Sequence, residues 1–158
     1  MKLKDIMIAD VQQVSPDATM SQTAAIMLRQ AVGCVVVTRN GAIKGILTDR
    51  DLLHCMNQHH DPYQCAAAVH MTHPVIVLPP DEDHLSAVDV MQNKRIKRLP
   101  IAQGGKLVGI VSMSDLTLIA EGEMQHIWAS WTLIAGLMRT QAVQIWQPKT
   151  KAVGSEPT

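Results

Sequence analysis

The stretch from Met7 to His54 recurs 64 residues later, from Met71 to Leu118, with no insertion or deletion. At that offset Pro16-Asp17 falls on Pro80-Asp81, Met27 on Met91 and Gly41 on Gly105. Gly45-Ile46 falls on Gly109-Ile110, and Asp51-Leu52 on Asp115-Leu116. A duplicated unit of this length predicts two similar halves that bury a face against each other. Anything bound between them meets two pseudo-equivalent sites.

Each half repeats one grammar. A short apolar strand, Val11–Val14 or Val75–Leu78, is closed by Pro-Asp. A helix-period segment follows, with Ala24, Met27, Leu28 and Ala31 on one face in the first half. Leu85, Val88 and Met91 take that role in the second half. Two strands come next, Cys34–Thr38 with Ala42–Thr48, and Arg98–Ala102 with Lys106–Ser112. Asn40-Gly41 and Gly104-Gly105 join them, dipeptides suited to the positive φ angles of a tight hairpin. A second helix begins after Thr48 and after Ser112. The predicted fold is therefore α+β, two β-α-β-β-α repeats packed through small sheets. The expected boundaries are residues 1–60 and 61–120 for the repeats, 121–147 for a helical extension and 148–158 for a disordered tail.

In the extension, Met124, Ile127, Trp131, Ile134 and Met138 follow an alternating three-four spacing. With Trp128 and Trp146 nearby, this is too much apolar surface for a solvent-facing helix, and it suggests self-association or partner docking.

Fourteen basic residues balance fourteen acidic ones, so no net field draws the chain toward nucleic acid. Three cysteines at irregular spacing argue against a disulfide framework and for a reducing compartment. The N-terminal residues do not read as a signal peptide, and the apolar run Ile127 to Met138 is too short for a bilayer. The expectation is a cytoplasmic protein with no membrane partner.

The repeat carries one chemically specific pattern, Gly45-x-x-Thr48-x-x-Asp51 and Gly109-x-x-Ser112-x-x-Asp115. A hydroxyl followed three residues later by an acid at a helix start reads in two ways. It resembles a capping box, in which both side chains satisfy orphan backbone N–H groups. Equally, a carboxylate accepts two hydrogen bonds from a cis-diol, while a hydroxyl and helix N-terminal amides suit a phosphate. Asp is shorter than the Glu or Gln of the usual reciprocal cap, which favours a carboxylate turned away from the backbone. The preceding glycine permits close approach of another group.

These motifs, together with Asp5-Ile6-Met7, Val69-His70-Met71 and the Arg98-Leu99-Pro100-Ile101 strand, resemble a tandem pair of CBS domains, also called a Bateman module. The resemblance runs from about Lys2 to Ile119. It implies that the Asp binds ribose hydroxyls of an adenine nucleotide (AMP, ADP or ATP) and the Thr or Ser contacts phosphate. It further implies two clefts between the halves, a homodimer, and a regulatory rather than catalytic role.

The halves differ just before Leu99-Pro100, where Lys97 and Arg98 replace Gly33 and Cys34 of the first half. A cation beside a hydroxyl and a helix N-terminus supplies charge-assisted hydrogen bonds to phosphate. The favoured cleft is therefore assigned Ser112, Asp115, Lys97 and Arg98. Gly33 and Cys34 are its small facing neighbours, leaving room for the ligand, and Met7 and Ile8 flank the adenine. The second cleft is assigned Thr48, Asp51, Met71 and Thr72, with Arg50 as its only candidate cation.

His54, Cys55, His59, His60 and Cys65 lack the paired short-range spacing of a zinc site, so they read as a polar inter-repeat loop with no metal. His70 and His73 read as surface histidines. No nucleophile, base and oxyanion donor assemble into a catalytic set, and no catalytic cofactor is expected. The alternative to a nucleotide sensor is an oligomerisation or docking protein whose clefts are vestigial or filled by side chains.

Overall fold

The structure, a computed structural model, describes residues 1–119. The helical extension and the tail expected beyond this point, including Met124, Ile127, Trp131, Ile134 and Met138, lie outside the described residues.

Each half builds a β-hairpin from the residues expected to form it. β2 (Cys34–Arg39) pairs with β3 (Ala42–Thr48), and β4 (Arg98–Gln103) with β5 (Lys106–Ser112). Asn40 and Gly41 have φ of 55° and 79°, and Gly104 and Gly105 have 58° and 77°. Two consecutive positive φ angles twist a two-residue loop to match the strands it joins. Both hairpins also slip register at matching places, between Val37 and Thr38 and between Ile101 and Ala102.

β1 is only Gln13–Val14, parallel to β2. Its expected counterpart Val75–Leu78 shrinks to one parallel bridge between Leu78 and Ile101. Pro79 and Pro80 follow directly and have no N–H with which to extend a ladder.

α1 (Met20–Gln30) starts at Thr19, whose side chain accepts from the Gln22 amide while Gln22 returns a bond to the Thr19 amide. It buries Met20, Thr23 and Met27. Leu28, expected on that face, is 83% exposed, and Ala31 ends the helix in a left-handed conformation. α4 (His84–Lys94) is capped by Asp83, buries Ala87, Val88 and Met91, and ends likewise at Arg95. α2 (Asp49–Asn57), α3 (Ala67–His70) and α5 (Met113–Ile119) complete the helices.

The strands form one mixed sheet in the order β1-β2-β3-β5-β4. β3 and β5 meet at a single residue pair, Ala42 with Lys106, and then part. The leading segment of the opposite half occupies each freed strand edge. Ile8 exchanges both backbone hydrogen bonds with Ile110 of β5, at 2.9 and 3.0 Å. Thr72 does the same with Ile46 of β3, at 2.9 and 3.1 Å.

The cores follow this exchange. Leu3, on a 3-10 turn over Leu3–Asp5, is fully buried in the second core with Met91, Leu99, Ile101 and Leu116. Ala67 of α3 is buried in the first core with Met20, Val35, Leu47 and Cys55.

Candidate functional site

Each hydroxyl–Asp pair sits where a strand becomes a helix. The Thr48 amide and hydroxyl both donate to Asp51 Oδ2, at 2.7 and 2.8 Å. Ser112 does the same to Asp115 Oδ2, at 2.7 and 2.6 Å, and the Asp115 amide donates to Ser112 Oγ at 3.3 Å. The expectation that the shorter Asp turns away from the backbone therefore fails. Thr48 is extended (φ −122°, ψ 169°), which presents its amide to the carboxylate three residues on and makes the short arm sufficient. Among the described residues, every hydrogen bond to these two carboxylates lands on Oδ2. Each Oδ1 remains as an acceptor on a partly buried group.

The segments assigned to the cleft walls arrive from the opposite half. Met7 packs its thioether against Gly109, three residues before Ser112, so closely that a Cβ on Gly109 would lie 2.7 Å from Met7 Cγ. Met71 covers Gly45 in the same way, with Cγ at 2.6 Å from such a Cβ. Met7 and Ile8 thus lie against Gly109 and Ile110, on the strand that leads to Ser112, and Met71 and Thr72 against Gly45 and Ile46, on the strand that leads to Thr48.

Arg98 is the ladder partner of Ser112, and Cys34 that of Thr48. The Arg98 guanidinium reaches across to lie directly on Gly33. Gly33 was expected to leave room for a ligand; instead that space holds the cation itself, because a long side chain fills whatever a missing Cβ frees. Burial pushes the Cys34 thiol above its ordinary 9.0, while nearby Arg98 pulls the other way. Lys97 is partly buried, and its carbonyl accepts the Met113 amide at 2.9 Å. Arg50, in the first turn of α2, is exposed.

A cavity of about 460 Å³ opens elsewhere, beside Ile43, Lys44, His73, Pro74 and Val77. None of the assigned cleft residues lines it, so it is a feature distinct from the hydroxyl–Asp sites.

The structure also assembles a cluster that spacing concealed. Cys55 on α2, Cys65 before α3 and His70 at the end of α3 bring their ligand atoms within 4.8 Å of one another. His60 joins them from the loop after α2. Burial, reinforced by His60, pushes His70 below its ordinary 6.5, while the Asp51 charge opposes this. The signal available in the sequence was the even spacing of Cys55, His60, Cys65 and His70, which resembles no paired zinc motif.

These observations agree with comparisons to known proteins. The chain is 35% identical over 117 residues to the CBS domain-containing protein YhcV of Bacillus subtilis, spanning 73% of this chain and 83% of that one. The CBS-domain protein ATU1752 of Agrobacterium tumefaciens has a similar structure, with a TM-score of 0.69 and 28% identity over 75% of this chain and 98% of the other. The CBS domain pair of MJ0100, solved with 5-methylthioadenosine and S-adenosyl-L-methionine, has the same fold at a TM-score of 0.71. Its identity is 21%, over 78% of this chain and 98% of that one. The profile of the CBS domain matches residues 3–58 and again 66–121, so the chain belongs to the CBS-domain family as a tandem pair.

Proposed function

We propose that this CBS pair is a regulatory module that binds an adenosine-containing ligand, AMP, ADP, ATP or a relative, in the cleft bearing Ser112 and Asp115. One observation carries the reading: both capping contacts of Asp115 fall on a single carboxylate oxygen. The cap thereby orients the side chain and leaves Oδ1 as an acceptor for a ribose hydroxyl. Arg98, opposite Ser112 in the ladder, supplies the cation for phosphate once its guanidinium swings off Gly33. Lys97 precedes it on the same strand entry. Met7 and Ile8 supply an apolar wall for the base. The second cleft, with Thr48, Asp51, Met71 and Thr72, has the same frame but a glycine and a cysteine where the first has Lys97 and Arg98. That MJ0100 holds two adenosyl compounds supports this ligand class. Ligand binding shifts the packing of the two halves, and of a homodimer, only as far as affinity differs between the arrangements.

A second reading has its own support. Arg98 over Gly33, Met7 over Gly109 and Met71 over Gly45 already fill space between the halves. On that reading the clefts are vestigial and the protein is an oligomerisation or docking module.

Calorimetric titration with AMP, ADP, ATP and S-adenosylmethionine separates the two. Saturable binding that Asp115→Ala abolishes, with a cooperative melt retained, supports the sensor. Absence of binding by every ligand, or a variant that binds normally and only melts lower, supports clefts that serve structure alone.

A further inference from the structure

We propose that Cys55, His60, Cys65 and His70 form a tetrahedral site for a thiophilic divalent transition metal of the zinc class, next to the second cleft but sharing none of its assigned residues.

The ligand atoms of Cys55, Cys65 and His70 share one small volume, all within 4.8 Å of one another. His60 Nδ1 lies 3.1 Å from His70 Nε2 and 3.7 Å from Cys65 Sγ. Zinc bonds of about 2.0–2.1 Å to nitrogen and about 2.3 Å to sulfur set the edges of such a tetrahedron. They come to about 3.3 Å between two nitrogens and about 3.6 Å between nitrogen and sulfur. The two observed His60 distances sit close to these edges.

Hydrogen bonding alone explains the convergence poorly. One imidazole nitrogen offers either a proton or a lone pair, in the plane of the ring. His60 Nδ1 faces both His70 and Cys65, so a neutral cluster leaves one of these contacts without a matched partner. A cation held by Cys55, Cys65 and His70 would replace both contacts once the His60 ring, now set against His70 and Cys65, turns in as the fourth donor and Cys55 gives up its bond to the His60 carbonyl. Two thiolates and two neutral imidazoles form a closed donor set with no open position, the pattern of a structural site. The thiol protons would leave to solvent as the metal enters.

The placement also suits a structural role. The four residues fall at even intervals within a short stretch, so closing the site costs little loop entropy. Cys55 is 1% exposed in the first core, whereas His60 is exposed and Cys65 and His70 are partly exposed, so metal has a route of entry. A bound ion would tie the inter-repeat loop and α3 to α2.

The test uses the full chain, reduced and stripped with chelator, then titrated with Co²⁺ and with Zn²⁺ against a chromophoric competitor. The expected result is one equivalent per chain, with the visible bands of tetrahedral Co²⁺ and thiolate-to-metal charge transfer. Cys65→Ser and His70→Gln should each weaken Zn²⁺ binding more than about tenfold. Both positions lie at or near the surface, so folding survives, as far-UV circular dichroism would verify. Cys55→Ser, in the core, serves only as a supplement. Absence of tetrahedral Co²⁺ bands, or unchanged affinity in Cys65→Ser, overturns the proposal. So does a Cys55–Cys65 disulfide that accounts for the cluster, with no metal uptake once it is reduced.

Discussion

The guanidinium of Arg98 lies on Gly33, and a single methyl added at Gly33 would collide with it. The two residues come from opposite halves, so the contact is one of the points at which the repeats sense each other.

The three glycines under opposing side chains should respond differently to alanine. At Gly33 the obstacle is the tip of a flexible arginine, which can swing away. Gly33→Ala should cost less than about 1 kcal/mol and displace Arg98. At Gly45 and Gly109 the added methyl meets Cγ and Cβ of Met71 and Met7, atoms tied closely to backbone. Gly45→Ala and Gly109→Ala should each cost about 1–3 kcal/mol by overpacking. Urea unfolding of the three variants checks the order, and equal losses would contradict it.

Leu3 is fully buried in the second core although it lies near the start of the chain. Leu3→Ala should lower stability by about 2–5 kcal/mol, as large-to-small changes in cores do. The same change at exposed Leu28 should move it by less than about 0.5 kcal/mol. Paired urea denaturation curves measure both.

Two surface ion pairs help hold the leading segment. Lys4 Nζ meets Asp81 at 2.7 Å, and the Met1 ammonium meets Asp83 at 3.2 Å. The Lys4 hydrogen bond and charge hold Asp81 below 3.8, and the Leu85 amide with the Met1 ammonium does the same for Asp83. Depressed carboxylates stabilise above the unfolded value and lose that contribution as pH falls through the folded one. Asp81 raises Lys4 above 10.5, so that contribution is full below 10.5 and fades as pH rises beyond it. Exchange protection of the Leu3 amide, bonded to the Glu82 carbonyl, should hold between these limits and weaken in acid. Salt should reduce the difference, since all four groups are exposed.

Ala31 and Arg95, at matching positions of the two repeats, end α1 and α4 with φ of 51° and 55°. A residue with a Cβ is disfavoured there, and glycine is the usual occupant. Ala31→Gly should raise stability by about 0.5–1 kcal/mol, read as a higher melting temperature. Loss of stability would show that the Ala31 methyl makes a contact worth more than the strain.

The elements that depend on local chemistry were legible in the sequence. Asn40-Gly41 and Gly104-Gly105 announced their hairpins, and the 64-residue offset announced two equivalent halves. What was not legible depends on distance. Nothing near Leu3 says that it belongs with Leu116, because a short apolar segment is uncommitted until a second core exists to receive it. Leu28 matched the helical period yet faces water, because the period alone does not say how wide a stripe the core covers. At the site, residue types were readable and directions were not. Asp51 and Asp115 turn back to Thr48 and Ser112 because the extended strand end presents its amide to them, whereas Arg98 fills the space above Gly33, a neighbour supplied by the other repeat. The cysteine–histidine cluster was hidden because His70 arrives on a separate helix.

The exchange of leading segments has a consequence for synthesis. The first core gains its final strand-edge partner when Thr72 emerges, and it can close while translation continues. Residues made before it must wait, because Ile8 has no seat until Ile110 leaves the ribosome. A nascent chain therefore carries its earliest residues as an idle plug, and truncation anywhere short of β5 strands an apolar end with nowhere to dock.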